Sequence, residues 1–142
     1  IVDNCVFQDG SGIYLYGPGG SGFQVTHNLI KNNATGITIG SPVSTTIEYN
    51  TIVSNTVGIA IPGPNTNPPT KVNLNNIFGN TNYNVSLSYP AGLPYDFTSN
   101  WWGSTDSAAI SQYIYDFYDD INLPVVTYQP FAVAPIPDAP AP

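Results

Sequence analysis

The chain predicts an all-β fold, a parallel β-helix of four to five coils closed at its C-terminal end by an amphipathic helix. Three observations carry this expectation. Asparagine recurs at Asn4, Asn28, Asn50, Asn75 and Asn100, at spacings of 24, 22, 25 and 25 residues, a period that calls for stacked repeats. Apolar residues keep fixed places around that column: Ile1, Val25, Ile47, Val72 and Phe97 three positions before it, and Val6, Ile30, Ile52, Ile77 and Trp102 two positions after it. A second polar column, Asp9, Asn33, Asn55 and Asn80, leads into Gly12, Gly36 and Gly58, each followed by alternating apolar residues such as Ile37 and Ile39.

Each period contains three short β-rich runs separated by Asn and Gly corners. That is too short for a propeller blade, and it lacks the helical spacing of ankyrin or tetratricopeptide repeats. If every coil climbs by ~4.8 Å, the ordinary strand separation, inward side chains sit directly on those of the coil below. Stacked Asn side chains then hydrogen-bond along the axis and satisfy backbone groups at the corner. Gly at the other corner is expected to supply a left-handed backbone. In the fourth coil an inserted Tyr83 puts Asn84 in the Gly place, with Val85 and Leu87 after it.

Residues 1–102 are read as the coils. Ile1 enters in mid-coil, so the chain is expected to be a processed or excised piece of something longer. Preceding coils or another subunit would then pair the N-terminal edge. The loops 16–22, 40–45, 62–71 and 88–95 fall at one place in the period and should project from one side, where repeat proteins often bind. Residues 103–131 are read as a cap helix and return strand. Over 104–120, Ile110, Tyr113, Ile114, Phe117 and then Ile121 are spaced by three and four, with Ser104, Thr105 or Asp106 as N-cap. Residues 132–142, AVAPIPDAPAP, read as a Pro/Ala-rich tail or linker without packing capacity.

These columns resemble the parallel β-helix repeats of the pectin-lyase-like superfamily, in its carbohydrate-binding and sugar-hydrolysis group. The run Asn100-Trp101-Trp102-Gly103 is similar to the closing segment of many secreted members. The resemblance spans roughly residues 1–130 and implies a right-handed helix. It implies no single activity, because that superfamily hosts lyases, hydrolases, epimerases, adhesins and inert surface proteins. Likeness to the pectate lyases would imply a catalytic Arg, and the chain has none; likeness to the polygalacturonases would imply Asp pairs on consecutive coils, which are not found.

Net charge is −7, with two Lys as the only fixed cations. Nucleic acid is therefore excluded as a partner, since phosphate binding rests on Lys and Arg, and an anionic membrane surface is excluded likewise. No apolar run approaches the ~18 residues of a membrane span, so no membrane insertion is expected. The lone Cys5 cannot make an intrachain disulfide and reads as a strand residue. No metal and no cofactor is expected.

Asp3, His27 and Glu48 stand just before the Asn corner of three successive coils. An imidazole between two carboxylates suits acid/base work or part of a metal site. The plainer reading is surface decoration, because the same columns continue with Asn73, Leu74, Thr98 and Ser99. Asp119 and Asp120 are read as a solvated face rather than a catalytic pair. Tyr14, Tyr16, Tyr89 and Tyr95 flank the projecting loops, and Tyr49 lies near the Asn corner; aromatic platforms among amide and acidic groups suit a shallow carbohydrate groove, against the alternative that Tyr is simply a good strand residue. Asn33-Ala34-Thr35 and Asn84-Val85-Ser86 match the glycosylation sequon, but both Asn belong to the corner columns. The leading expectation is a non-enzymatic extracellular or cell-surface module for structure or adhesion, in contact with polysaccharide or cell-surface glycan. The alternatives are the terminal part of a polysaccharide lyase or glycoside hydrolase whose catalytic coils lie upstream, and a self-associating filament subunit.

Overall fold

In the computed structural model the chain winds as a parallel β-solenoid; residues 3–5 (backbone only), 10–17, 22–40, 45–64 and 70–142 are described. Coil one supplies β1 (Asp3–Cys5) and β2 (Ser11–Leu15), and coil two β3 (Phe23–Thr26), β4 (Leu29–Lys31) and β5 (Thr35–Ile39). Coil three supplies β6 (Thr45–Glu48), β7 (Thr51–Val53) and β8 (Val57–Ile61), and coil four β9 (Lys71–Asn73), β10 (Asn76–Phe78) and β11 (Tyr83–Leu87). β12 (Tyr95–Asp96), α1 (Ser107–Ser111), β13 (Ile114–Tyr115) and β14 (Val126–Thr127) complete the C-terminal end. Three parallel sheets result, ordered β1-β4-β7-β10, β2-β5-β8-β11-β13 and β3-β6-β9-β12-β14. The four loops singled out in the sequence, and the later connection 116–125, all run from the second sheet to the third. Ile1, Val6, Asp9 and the middle of the first three loops lie outside the described residues.

The register stacks like on like. Ile30, Ile52 and Ile77 form one inward column and Ile37, Ile59, Val85 and Ile114 another, all buried. Each such side chain contributes roughly 1.5–3 kcal/mol through removal from water. Asn84 stands opposite Gly58, since Val85 pairs with Ile59 and Leu87 with Ile61. The first coil departs from the sequence alignment: Asn4 pairs with Ile30 and not with Asn28. The connection from β1 to β2 has five residues, 6–10, where the equivalent from β4 to β5 has three, 32–34. β1 is thereby displaced by two positions, while β2 returns to register at Ser11 and Thr35.

Two ladders of Asn side chains run along the axis. The Asn28 backbone N–H and Nδ2 both donate to Asn50 Oδ1, at 3.0 Å each. Asn50 repeats this toward Asn75 Oδ1, and Asn75 toward Asn100 Oδ1. Asn50 Nδ2 also reaches Val25 O and Glu48 O at 2.8 and 2.9 Å, so its two hydrogens are shared among three acceptors. The second ladder joins Asn33 to Asn55 and Asn55 to Asn80, then ends on Asn84 Oδ1 at 2.9 Å.

The left-handed backbone falls on the residue before each ladder Asn. His27, Asn32, Tyr49, Ser54, Leu74, Gly79 and Ser99 all have φ between 55° and 62°. For a non-glycine residue this conformation costs about 1 kcal/mol, which the two or more hydrogen bonds made by the following Asn offset. Gly36 and Gly58 lie inside β5 and β8 and are not left-handed, contrary to the sequence expectation. They are needed for closeness: a Cβ on Gly36 would stand 2.6 Å from Gly58 O, and one on Gly58 2.6 Å from Asn84 O.

The cap differs most from expectation. The helix spans only Ser107–Ser111, with Asp106 accepting from Ala108 N at its N-cap. It stops because Ile114 is drawn into the inward column beside Val85. Beyond it the Asp116 carboxylate accepts from Tyr118 N and Val126 N, tying 116–126 into turns. Ile110 and Ile114 are buried, while Tyr113, Phe117 and Ile121 are exposed. The Pro/Ala tail is docked, not free. Ala132 N donates to Asn100 O, Ile136 exchanges hydrogen bonds with the Asn76 amide, Thr51 Oγ1 donates to Pro140 O, and Ala139 is buried. Its packing rests on polar groups left on the outer face of the first sheet, which hydropathy alone does not mark.

Replacing Gly58 with Ala is expected to lower the unfolding free energy by roughly 1–3 kcal/mol in urea denaturation, since backbone must move. Gly10→Ala, where a Cβ meets nothing within 4 Å among the described residues, should change it by less than about 0.5 kcal/mol. Equal effects at both positions would remove the close-approach account.

Candidate functional site

The rings expected to serve as sugar platforms divide into separate places. Tyr14 lies in β2 opposite Thr38, and its ring passes over the bare backbone of Gly40, where a Cβ would come within 2.6 Å of Tyr14 Oη. Tyr16 follows at the start of the first long connection. The two rings stack at 6.4 Å and 26°, and remain 60% and 70% exposed. Tyr89 is at the far end of coil four, three strands along the same sheet, or about 14 Å at the usual strand separation. Tyr95 cannot act as a platform: it is 2% exposed and its hydroxyl donates to Gly63 O at 2.8 Å. Burial also pushes its phenol far above the usual tyrosine range. Of the four rings, only Tyr14 and Tyr16 stack on one another in the open, and the four do not line a common groove.

His27, Glu48 and Asp3 do not assemble into a site among the described residues. His27 is exposed and stacks on Tyr49 at 5.2 Å and 18°, the left-handed residues of successive coils facing one another. Glu48 occupies the neighbouring column between Thr26 and Asn73. Asp3 pairs through its backbone with Leu29, and its side chain, like those of Asn4 and Cys5, lies outside the described residues.

Polar groups on the outer face of the third sheet are bound to one another. Asp96 Oδ1 accepts from Thr98 N, Thr98 Oγ1 and Asn73 Nδ2 at 3.0, 2.8 and 3.1 Å. Partial burial pushes the Asp96 carboxyl up, but these hydrogen bonds and nearby Lys71 outweigh it and hold the group below the usual carboxylate range. Asp120 is likewise lowered by the backbone N–H and side-chain amide of Asn122. Asn33 and Asn84, the sequon residues, are buried in the second ladder. Sequence reasoning missed the left-handed column and the docked tail; the residues before the ladder Asn, from Gly79 and Ser54 to Tyr49 and Leu74, share no type that marks the first.

Rungs of like residues, two amide ladders and a polar outer surface define a parallel β-helix repeat protein. Residues 1–116 match the family described as periplasmic copper-binding protein (NosD). The chain belongs to that family. No curated protein and no solved structure matches it.

The described residues do not fit a copper centre. Thiolate and thioether ligands select Cu(I), and imidazole suits either copper state; this chain has one His, one Cys and no Met. His27 is stacked on a ring, and no group of three His, Cys, Asp or Glu side chains converges among the described residues.

Two outcomes follow. Because the folded state holds Asp96 below its unfolded pKa, the charged form favours folding; that stability is present at neutral pH and is lost as pH falls below about 4. Asp96→Asn should flatten this part of an acid-denaturation profile, and an unchanged profile would dismiss the cluster. Titration with Cu(I) or Cu(II) should give no saturable rise in Tm; a rise abolished by His27→Ala would reverse the copper conclusion.

Proposed function

We propose that the chain is a non-enzymatic β-helix module acting outside the cytoplasm in cell-surface structure or adhesion, and that it contacts carbohydrate through Tyr14 and Tyr16. The observation that carries this is the stacked, largely exposed ring pair beside the first projecting loop. Two large aromatic faces left together in water are the kind of surface that marks an interaction site. Tyr14 is fixed by its place in β2 and by Gly40 beneath it, so the platform is already formed before a ligand arrives.

The family's description as periplasmic supports a location outside the cytoplasm. No helix among the described residues is long and apolar enough to cross a membrane. Its copper binding is not carried over, for want of ligands. β1, β2 and β3 each end a sheet with one described neighbour, an edge that preceding coils or another subunit would pair.

A glycan array probed with this chain should show binding that falls at least tenfold, about 1.4 kcal/mol, in the double variant Tyr14→Ala, Tyr16→Ala. Both positions are exposed, so the fold should survive, which circular dichroism checks. Binding unaltered by the double variant would refute the platform.

A further inference from the structure

A cleft of about 670 Å³ opens at the C-terminal end of the solenoid, between α1, the 116–119 turn and β14. Its floor is apolar: Ile114 and Val126 are 4% and 2% exposed. Its walls are held by Asp116, whose carboxylate is spent on Tyr118 N at 3.1 Å and Val126 N at 2.7 Å. Tyr118 therefore stands at the rim on a fixed backbone, with its ring 81% exposed and edge-on to Phe117.

Apart from Val125, the rest of the lining is polar and uncharged save for one acid. Gln112, Thr127, Gln129 and Asp119 are all exposed there. Gln129 Nε2 donates to Ser107 Oγ at 2.9 Å and Asp119 Oδ2 accepts weakly from Asp116 N at 3.3 Å. The Gln112 amide, the Thr127 hydroxyl, Gln129 Oε1 and Asp119 Oδ1 keep their hydrogen-bonding capacity among the described residues. Both Lys lie elsewhere, Lys31 in β4 and Lys71 in β9. An anionic ligand would thus meet Asp119 and a net charge of −7 with no counter-charge.

The size falls within the range of about 300–1,000 Å³ usual for small-ligand sites, and an apolar floor with a few convergent polar groups is their usual lining. A ligand matching it needs an apolar face for the ring and floor, several hydroxyls for the amides, and no negative charge. We infer that this cleft binds an uncharged oligosaccharide, with Tyr118 as the stacking face and Gln112, Thr127, Gln129 and Asp119 meeting its hydroxyls. The site is independent of Tyr14 and Tyr16: β13 lies four strands from β2, about 19 Å at the usual separation.

Calorimetric titration of the full chain with hexamers of β-1,4-glucan, β-1,4-xylan and β-1,4-mannan tests this, with a galacturonate hexamer as the acidic control. At least one neutral hexamer should bind saturably, tenfold or more weaker in Tyr118→Ala and in Gln112→Ala. Failure of all three neutral hexamers to bind would overturn the inference, as would binding indifferent to Tyr118→Ala, or galacturonate binding as tightly. Loss of binding in the Tyr14/Tyr16 variant alone would support the ring-pair reading and still overturn this one.

Discussion

The side-chain amide of asparagine, stacked on its equivalent one rung away, is the constraint on which the rest of this molecule depends. A coil of about two dozen residues must turn sharply several times, and each turn frees backbone donors and acceptors in a place too crowded for water. Asn50 shows the solution: one oxygen takes two hydrogens from the rung before, and one nitrogen serves two carbonyls and the next amide. No other side chain offers both an acceptor and two donors in so short a reach. The left-handed residue preceding each amide aims it into the stack. Glycine at Gly36 and Gly58 then lets the second ladder lie against neighbouring backbone. Remove the amides and neither the corners nor the close packing has a reason to exist.

The repeat was legible because it is written twice, in polarity and in hydrophobicity. Ile30, Ile52 and Ile77 share a column in sequence and in space, and the extra residue of coil four was recoverable from the Ile59–Val85 match, although Tyr83 itself pairs with Val57 and the insertion falls just before it. What escaped notice has a common origin in local signals that tertiary contacts override. Spacing by three and four over 104–120 suited a long helix, yet Ile114 gains more by completing the sheet column than by extending α1. Pro-rich composition read as a linker, because nothing in residues 132–142 shows that Asn76 and Thr51 wait on the first sheet to receive it. The two-residue displacement of β1 arises from the length of a connection, to which column matching is blind.

The candidate sites follow the same division. Exposure of Tyr14 and Tyr16 could be guessed from their place beside a loop, but Tyr95 has equal claim by that criterion and is buried. Column counting set Asp3, His27 and Glu48 near one another, whereas a left-handed φ at His27 directs its ring onto Tyr49. Membership of the NosD family speaks here to form more than to chemistry, since one His, one Cys and no Met leave few of the soft and imidazole donors that copper takes.

Stacked repeats ordinarily behave as one-dimensional arrays, in which a terminal layer peels without consulting those beneath it. The docked tail alters that arithmetic. By touching Asn100, Asn76 and Thr51 in turn, it laces three consecutive layers together from outside. The terminal layers then loosen as a block, and the end of the stack most exposed to fraying becomes a cooperative unit of its own.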